Sequence, residues 1–512
     1  MKEKVENIFN KLIYVIEFII SVILVKQVFD VFTIKAYKEY YPLNKIIYSV
    51  ILGVLVIGVI IYICKKNKEK IEKIFIAFAI PLSIGYAIFV LPLNVPDEGS
   101  HILKAYDISI GNIVTQIDEQ GNSYCMILKS LENYSYTRFP NYSSVLDEIE
   151  QETNYDENVK TVCAAQGNSP FLYIGTVLGL LIGRFFNINI ILVVYLARMI
   201  NIIIFLTFGY FTIKKLPFGK LAMAVYLCMP MMLQQAASCS ADAILNSVLI
   251  YYIAHLIYMT FKETEIIKKD KIILYVLTAL VAMFKYVYIL VAGILFITIF
   301  SKKEDRKEKI KTIGIMILIG SIFAIGWFAF GLRFKSSPDV TLEYNRIANV
   351  DQGRQISYIK ENPAKFMKTF IKEYIVYGPE YIFGAVGSKL GWLNVNVDAS
   401  IITLYIIILI LSVIAEKSKY EFKAKSKIWI IAIILAISAL LKISMYIFFT
   451  PVGLERICGV QGRYYTPILF LALLCLIKKD NNWEIKNANQ KMMALSMVLN
   501  IATLYVVFGN YV

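Results

Sequence analysis

The chain has 512 residues, of which 58% are hydrophobic, 14% aromatic and only 18% charged. This composition excludes an ordinary soluble protein, and apolar stretches of about 20 residues recur along most of the length, as in a polytopic membrane protein. The formal net charge is +15, but the basic residues stand in short clusters between the apolar stretches. This arrangement marks a cytoplasmic face and argues against nucleic acid as a partner.

The basic clusters set the predicted topology, in which we place all of them in the cytoplasm. They begin at Lys65, Lys214, Lys262, Lys302, Glu416 and Lys478. Because only helices span a bilayer in a chain of this kind, the pattern predicts about thirteen transmembrane helices. They are residues 11–31, 46–63, 74–93, 188–213, 219–235, 242–261, 312–334, 399–415, 428–449, 464–477 and 492–510, with a two-pass hairpin within 272–300. That hairpin is too short for two full α-helical passes, and it puts Lys285 and Tyr286 at its outer tip.

Residues 1–73 are predicted to form an N-terminal two-helix membrane segment with a basic cytoplasmic loop, and residues 74–512 one membrane domain. The first large external loop covers 94–187 and is acidic. Residues 169–186 within it are expected to form a juxtamembrane helix along the outer interface, because a further crossing would put Lys214 and Lys215 outside. Cys125 and Cys163 lie in this loop, and the sequence leaves their pairing open.

The second external loop covers 335–398. Its apolar residues recur near helical spacing between lysines and glutamates, which predicts helices lying on the outer leaflet.

Ionisable residues beside or within crossings are costly and are therefore functional candidates. The stretch "VPDEGSH" places Asp97, Glu98 and His101 where the crossing 74–93 ends. Two adjacent carboxylates can supply a general base and its orienting partner, or hold a divalent cation such as Mg or Mn. The other candidates on the same predicted face are Asp242, Lys285, Gln461, Arg463 and Tyr464.

Each candidate also has a purely structural interpretation. Asp97 can cap a helix starting at Gly99, and Asp242 can cap one starting at Ala243. Lys285 can reach water along its own alkyl stem, and Arg463 can be an interfacial anchor beside two tyrosines. Arg198, in the middle of a crossing, either pairs within the bundle or lines a wet cavity.

No phosphate-binding glycine loop, nucleophile elbow or zinc spacing is present in the sequence. An enzyme with an external site therefore needs an activated donor that is already delivered there.

The segments "VPDEGSHILKAYDISIGN", "YLARMIN", "MPMMLQQAASCSADAILN" and "GVQGRYYTPILFL" resemble the bacterial membrane family catalogued as domain of unknown function 2142. That family carries an early Pro-Asp-Glu-x-x-His motif and a late Gln-Gly-Arg-Tyr motif, and the resemblance runs from about residue 74 to 477. Val95 and residues 394–398 depart from its usual pattern. The family in turn is similar to the GT-C superfamily of glycosyltransferases.

The resemblance implies an all-α, GT-C-like bundle with external juxtamembrane helices. It also implies Asp97 as catalytic base and Glu98 as the group that orients the acceptor or a cation. The donor would be a sugar on polyprenyl phosphate, bound with the help of His101, Asp242, Lys285, Gln461, Arg463 and Tyr464.

We therefore expect a glycosyltransferase in the bacterial cytoplasmic membrane whose active site faces outside. Its partners would be the lipid-linked sugar, a cell-envelope polysaccharide or glycolipid acceptor, and membrane lipids. Two alternatives stay open: a non-catalytic flippase or transporter of lipid-linked glycans, and a polysaccharide polymerase or ligase. Arg198 is the main feature that favours a transporter.

Overall fold

The computed structural model describes residues 42–512 except 69, 120–121, 133, 135–136, 163–164, 263–265, 301–305, 334–348 and 480–484, together with residues 15, 19, 22, 23 and 26. The protein is mostly helical. In chain order its α-helices are α1 Pro42–Lys66, α2 Ile71–Phe89, α3 Glu98–Ser109, α4 Tyr142–Ile149, α5 Ile174–Phe185, α6 Ile190–Lys215, α7 Lys220–Leu227, α8 Pro230–Ala236, α9 Ala241–Phe261, α10 Lys268–Phe284, α11 Arg306–Gly331, α12 Gln352–Glu361, α13 Pro363–Ile375, α14 Gly378–Val386, α15 Ala399–Ile414, α16 Ala424–Phe448, α17 Thr466–Leu474 and α18 Ala488–Tyr511.

Within the described residues, six helices are long and apolar enough to cross a membrane. They are Ile71–Phe89, Ile190–Lys215, Ala241–Phe261, Lys307–Gly331, Ala424–Phe448 and Ala488–Tyr511. The chain is thus a multi-pass membrane protein. The predicted crossing 11–31 lies outside the described residues, and the total of thirteen stays a prediction.

Contacts between helix ends define what we call the basic end of the bundle. Asp270 accepts hydrogen bonds from Lys215 at 3.2 Å and from Lys262 at 2.8 Å. The Glu416 carboxylate accepts three more, from the backbone N–H groups of residues 219–221, which begin α7. The clusters beginning at Lys214, Lys262 and Glu416 therefore meet on one side, as predicted. We call the opposite end, which carries the described residues within 90–170 and residues 349–398, the loop end.

The predicted crossing 219–235 is not one continuous helix. It consists of α7 and α8, which are separated at Cys228 and Met229, and Pro230 begins the second helix. Proline has no backbone N–H and cannot continue the preceding helix. Residues 221–237 are all buried, which is the setting in which a membrane protein tolerates a broken helix.

The predicted hairpin turns at Lys285, as expected, but its second arm is a 3₁₀ helix, Tyr286–Phe300. A 3₁₀ helix rises about 2.0 Å per residue, so this arm is roughly 30 Å long and comparable to the hydrocarbon core. The expectation that both arms fall short of a full pass assumed α-helical rise. At the 3₁₀ rise the second arm approaches that length, but it is not among the six helices long and apolar enough to cross a membrane, so the expectation stays a prediction.

The expected interfacial helix, α5, follows a 3₁₀ turn at Pro170–Tyr173 and runs antiparallel along the first half of α6. A Cβ atom added to Gly179 would lie 2.6 Å from Cα of Ala197, and one added to Gly183 would collide with Val193. These glycines let the two backbones approach closely, as small residues do between membrane helices. The helix therefore packs lengthwise on α6 and does not lie flat across the bundle end, which corrects the predicted orientation.

The loop end also contains β-structure, which corrects the all-α expectation. Three antiparallel strands form one sheet in the order β1 Gln116–Ile117, β2 Ser123–Leu128 and β3 Asn158–Val162. A second pair, β4 Lys389–Leu390 and β5 Val395–Asn396, forms a short hairpin. Cys125 in β2 is disulfide-bonded, whereas Cys163 lies outside the described residues. In the second loop, α12, α13 and α14 confirm the predicted helical character.

Candidate functional site

Asp97 occupies the N-cap position of α3, but its carboxylate does not cap the helix. The residue has φ of 65°, in the left-handed region, and makes no side-chain capping hydrogen bond. Its Oδ2 atom instead accepts a hydrogen bond of 2.6 Å from Nη2 of Arg463, and 54% of the side chain is exposed. The capping interpretation of Asp97 is therefore wrong, because the backbone turns the carboxylate away from the helix axis and towards the late Gln-Gly-Arg-Tyr segment.

Arg463 joins Asp97 to a second carboxylate. Its Nη1 atom lies 3.3 Å from Oδ2 of Asp242 and donates to the carbonyl of Pro96 at 3.1 Å. Only 4% of the Arg463 side chain is exposed, and its buried Nε has no hydrogen-bond partner among the described residues. One guanidinium is thus shared by two carboxylates and retains an unused donor.

Asp242 is the second residue of α9, not its N-cap. The N-cap is Ser240, whose hydroxyl accepts a 3.1 Å hydrogen bond from the backbone N–H of Asp242. The predicted capping role is wrong because serine already fills it. The Asp242 carboxylate lies near the positive end of the helix dipole and is free of the capping role, so it can pair with Arg463.

Glu98 faces the protein interior. Its oxygens accept hydrogen bonds from Nε and Nη2 of Arg198 at 2.9 and 2.6 Å, and both side chains are fully buried. They also accept from the backbone N–H groups of Leu93 at 3.0 Å and Cys239 at 2.8 Å. A carboxylate has about four acceptor positions, so these four bonds occupy them. Arg198 also donates to the carbonyls of Ala87, Val90 and Leu91.

His101 lies one turn further along α3 and reaches the start of α5. Its Nδ1 is 2.8 Å from the Tyr173 hydroxyl, which also accepts a hydrogen bond of 2.9 Å from Asn168. Burial lowers the pKa of His101 despite the nearby carboxylates Asp97 and Asp242. The ring is therefore neutral near pH 7 and serves as a hydrogen-bonding group.

Lys285 and Tyr464 complete the cluster at the hairpin turn. The Lys285 ammonium lies 4.4 Å from the centroid of the Tyr464 ring, within cation–π distance. Tyr288 fixes this tyrosine by donating a 2.7 Å hydrogen bond to its backbone carbonyl. Lys285 also interacts electrostatically with Asp242, Arg463 and Asp97, so the structure brings these predicted residues together.

Close backbone packing positions the Arg463 turn. A Cβ atom on Gly462 would lie 2.5 Å from the backbone nitrogen of Ala385, so the glycine of the late motif is required for contact with the end of α14. Thr466 adds a 3.2 Å hydrogen bond to the carbonyl of Ala385. The side-chain oxygen of Gln461 is buried and has no hydrogen-bond partner in the described part of the chain.

Arg138 is a site residue that the sequence reasoning missed. Its guanidinium carbon lies 3.3 Å from the centroid of the Trp392 ring, and its charge interacts with Asp97. Asn94 holds the adjacent Phe139 through hydrogen bonds of 2.9 and 3.0 Å to its backbone carbonyl and N–H. The only signal in the sequence was that Arg138 is one of few basic residues in an acidic loop.

The charges around Asp97 decide its ionisation. Partial burial raises the pKa of this carboxyl, but the charge and hydrogen bond of Arg463, aided by His101 and Arg138, outweigh that effect and hold the pKa below its ordinary value. Asp97 is therefore a carboxylate at neutral pH and accepts a proton poorly while it is paired with Arg463.

An apolar groove begins at Lys285 of this cluster and leads into the bundle. Two cavities of about 370 and 610 Å³ adjoin at Ala324 of α11, and α10, the 3₁₀ arm of the hairpin and α16 supply most of the other walls. Lys285 and Asn168 line the cavity nearer the loop end, whereas Trp429 lines the deeper one. The groove thus has a polar mouth and an apolar interior.

The carboxylates do not form an obvious metal site. Asp97 and Glu98 each hold an arginine, and no group of three or more His, Cys, Asp or Glu side chains suited to a metal ion occurs among the described residues. The donor set therefore does not favour the divalent cation that the sequence leaves open.

No curated protein and no solved structure matches the chain. Residues 80–472 match the family described as predicted membrane protein, DUF2142. The matched segment contains the Asp97 motif, Arg198, Asp242 and the Arg463 motif, and it covers more than half of the chain. The protein therefore belongs to the DUF2142 family of predicted membrane proteins.

Proposed function

We propose that the protein is a membrane glycosyltransferase that moves a sugar from a polyprenyl-phosphate donor to a cell-envelope polysaccharide or glycolipid. One observation carries this proposal: a half-exposed carboxylate, Asp97, is paired with Arg463, and Lys285, whose charge interacts with both, lines the polar mouth of an apolar groove. A base, a cation and a lipid-sized groove are the parts that such a reaction needs. The resemblance of this membrane family to the GT-C superfamily, noted from its sequence motifs, is in keeping with the same activity.

In the proposed reaction, an acceptor hydroxyl oxygen bonds to the anomeric carbon while the bond from that carbon to the phosphate oxygen breaks. The proton of the hydroxyl passes to Asp97, and the electron pair of the broken bond leaves with the lipid phosphate. Arg463 and Lys285 stabilise the charge that develops on this phosphate. Glu98 takes no proton in this scheme, because Arg198 and two backbone N–H groups occupy it.

The charge of the cluster supports a donor with one phosphate. Among the described residues, the cations Arg463, Lys285 and Arg138 stand against the carboxylates Asp97 and Asp242, while the Glu98 pair is neutral by itself. One net positive charge matches the single negative charge of a phosphodiester. A diphosphate-linked oligosaccharide, the donor of a polymerase or ligase, carries at least two negative charges and fits less well.

The transporter alternative loses its main support. Arg198 favoured it as an isolated charge in the middle of a crossing, but the residue is fully buried and paired with Glu98. A saturated ion pair does not line a hydrophilic path. The remaining candidates lie at the loop end, which we propose faces the outside of the bacterial cytoplasmic membrane.

The proposal is tested by replacing Asp97→Asn and measuring transfer of labelled sugar from polyprenyl-phosphate donors in membranes that contain the full chain. We expect transfer to fall about 100-fold or more, the usual contribution of a general base. Asp156→Asn, the same change at an exposed residue after α4, serves as the control and should retain full transfer. Retained transfer by the stably inserted Asp97 variant would overturn the role of Asp97 as base.

A further inference from the structure

The sharing of Arg463 creates a conflict within the proposed mechanism. The same guanidinium that should bind the donor phosphate also neutralises the base: Nη2 lies 2.6 Å from Asp97. A carboxylate in such a pair accepts a proton poorly, because protonation would break a strong charge-assisted hydrogen bond. The site must therefore release Asp97 before the base can act.

The two edges of the guanidinium have different partners. Nη1 is held by Asp242 at 3.3 Å and by the Pro96 carbonyl at 3.1 Å. On the other edge, Nη2 bonds Asp97, while Nε is buried with no hydrogen-bond partner among the described residues. The Nε–Nη2 edge is the fork that binds two phosphate oxygens at once, and here it is only half used.

We propose that Arg463 transfers its Nε–Nη2 edge from Asp97 to the donor phosphate when the donor binds, while Asp242 holds Nη1 throughout. This inference rests on the proposed function. It makes Asp242 a positioning residue that keeps the guanidinium in place after Asp97 lets go. Binding of the donor thereby frees the carboxylate that must deprotonate the acceptor.

The surroundings favour such an exchange. Arg463 is 95% buried and fixed by the packing of Gly462 on the end of α14, so the guanidinium has little room to leave with Asp97. Asp97 is exposed enough for an acceptor hydroxyl to replace the arginine. Lys285, whose charge interacts with Arg463 and both carboxylates, can approach the same phosphate from the mouth of the groove.

The test measures equilibrium binding of a polyprenyl monophosphate to the full-length protein in lipid nanodiscs, with no acceptor present. If Asp97 competes with the ligand for Arg463, Asp97→Asn should bind about fivefold or more tightly than the unchanged protein. Asp242→Asn should bind more weakly by a similar factor, because Arg463 loses its anchor. Arg463→Lys should bind weakly as well, since an ammonium cannot form the bidentate contact.

The contrast between the two aspartates is decisive. Simple repulsion between carboxylates and phosphate would make both aspartate variants bind more tightly, and that result would overturn the exchange. Unchanged binding by Asp97→Asn would also overturn it, and the sugar-transfer assay would still report separately on the base. Asp156→Asn is the matched control, and tighter binding cannot arise from misfolding.

Discussion

Glu98 and Asp97 are neighbours in the chain, yet they have opposite environments because of the backbone between residues 93 and 98. Leu93 and Asp97 both have φ of 65°, a left-handed conformation that costs a residue other than glycine about 1–3 kcal/mol. Glu98 supports this turn by accepting the N–H of Leu93 while it binds Arg198. We infer that Glu98 positions Asp97, whereas the sequence analysis expected it to orient the acceptor or a cation.

This role for Glu98 predicts a loss of stability in Glu98→Gln. The amide would leave the fully buried Arg198 without its counter-charge, and breaking a buried pair in this way costs about 3–5 kcal/mol. Thermal unfolding of the purified protein in detergent measures the effect. Glu157→Gln removes a carboxylate from the exposed pair with Lys129 and should leave the stability almost unchanged, because solvent screens an exposed pair. If the Glu98→Gln variant kept wild-type stability but lost sugar transfer, the result would instead favour a catalytic role for Glu98.

At the scale of the helices, the sequence was a better guide to which helix ends lie on the same side of the bundle than to the local geometry of the helices. Charge clusters identified the basic end because like charges are placed on one side of a membrane, and Asp270 and Glu416 bring three of them together. The break at Pro230 has a local cause in the proline itself, although the apolar run 219–235 reads as one crossing. The long 3₁₀ arm and the lengthwise packing of α5 depend instead on contacts between distant segments. No local pattern contains that information.

The candidate site shows the same limit. The residue types of the two motifs indicated Asp97 and Arg463, which lie 366 positions apart and bond directly. The competing helix-cap interpretation could not be resolved from sequence, since aspartate and serine are both good caps. Only the fold shows that Ser240 caps α9, and that Asp97 turns away from α3.

The groove gives a prediction at the scale of α11. Ala324 lies where the two cavities adjoin, so Ala324→Phe should obstruct the path of a lipid chain. Polyprenyl monophosphate should bind about tenfold more weakly, a loss of about 1.4 kcal/mol. Gly326→Phe is the matched control on the same helix, because a Cβ there meets no atom within 4 Å. Equal binding by both variants would mean that the lipid chain lies elsewhere.

Across the whole molecule, the polar site and the basic clusters lie at opposite ends of the bundle. Arg198 is eight residues into α6, which sets the buried Glu98 pair about 12 Å from the loop-end terminus of that helix. The sheet containing the disulfide-bonded Cys125 lies at the same loop end. Since disulfides persist in oxidising compartments, this bond agrees with the proposal that the loop end is external.

This orientation predicts which positions an impermeant thiol reagent reaches in intact cells. We expect Asp156→Cys, exposed at the loop end, to be labelled directly, and Lys419→Cys, exposed at the basic end, only after permeabilisation. Both changes are made with Cys458 and Cys475 replaced by serine, because these free thiols are partly exposed. If only Lys419→Cys were labelled in intact cells, the basic end would face outside and the topology would be the opposite of the one proposed. The site would then open to the cytoplasm, and a donor presented on the outer leaflet could not reach Asp97.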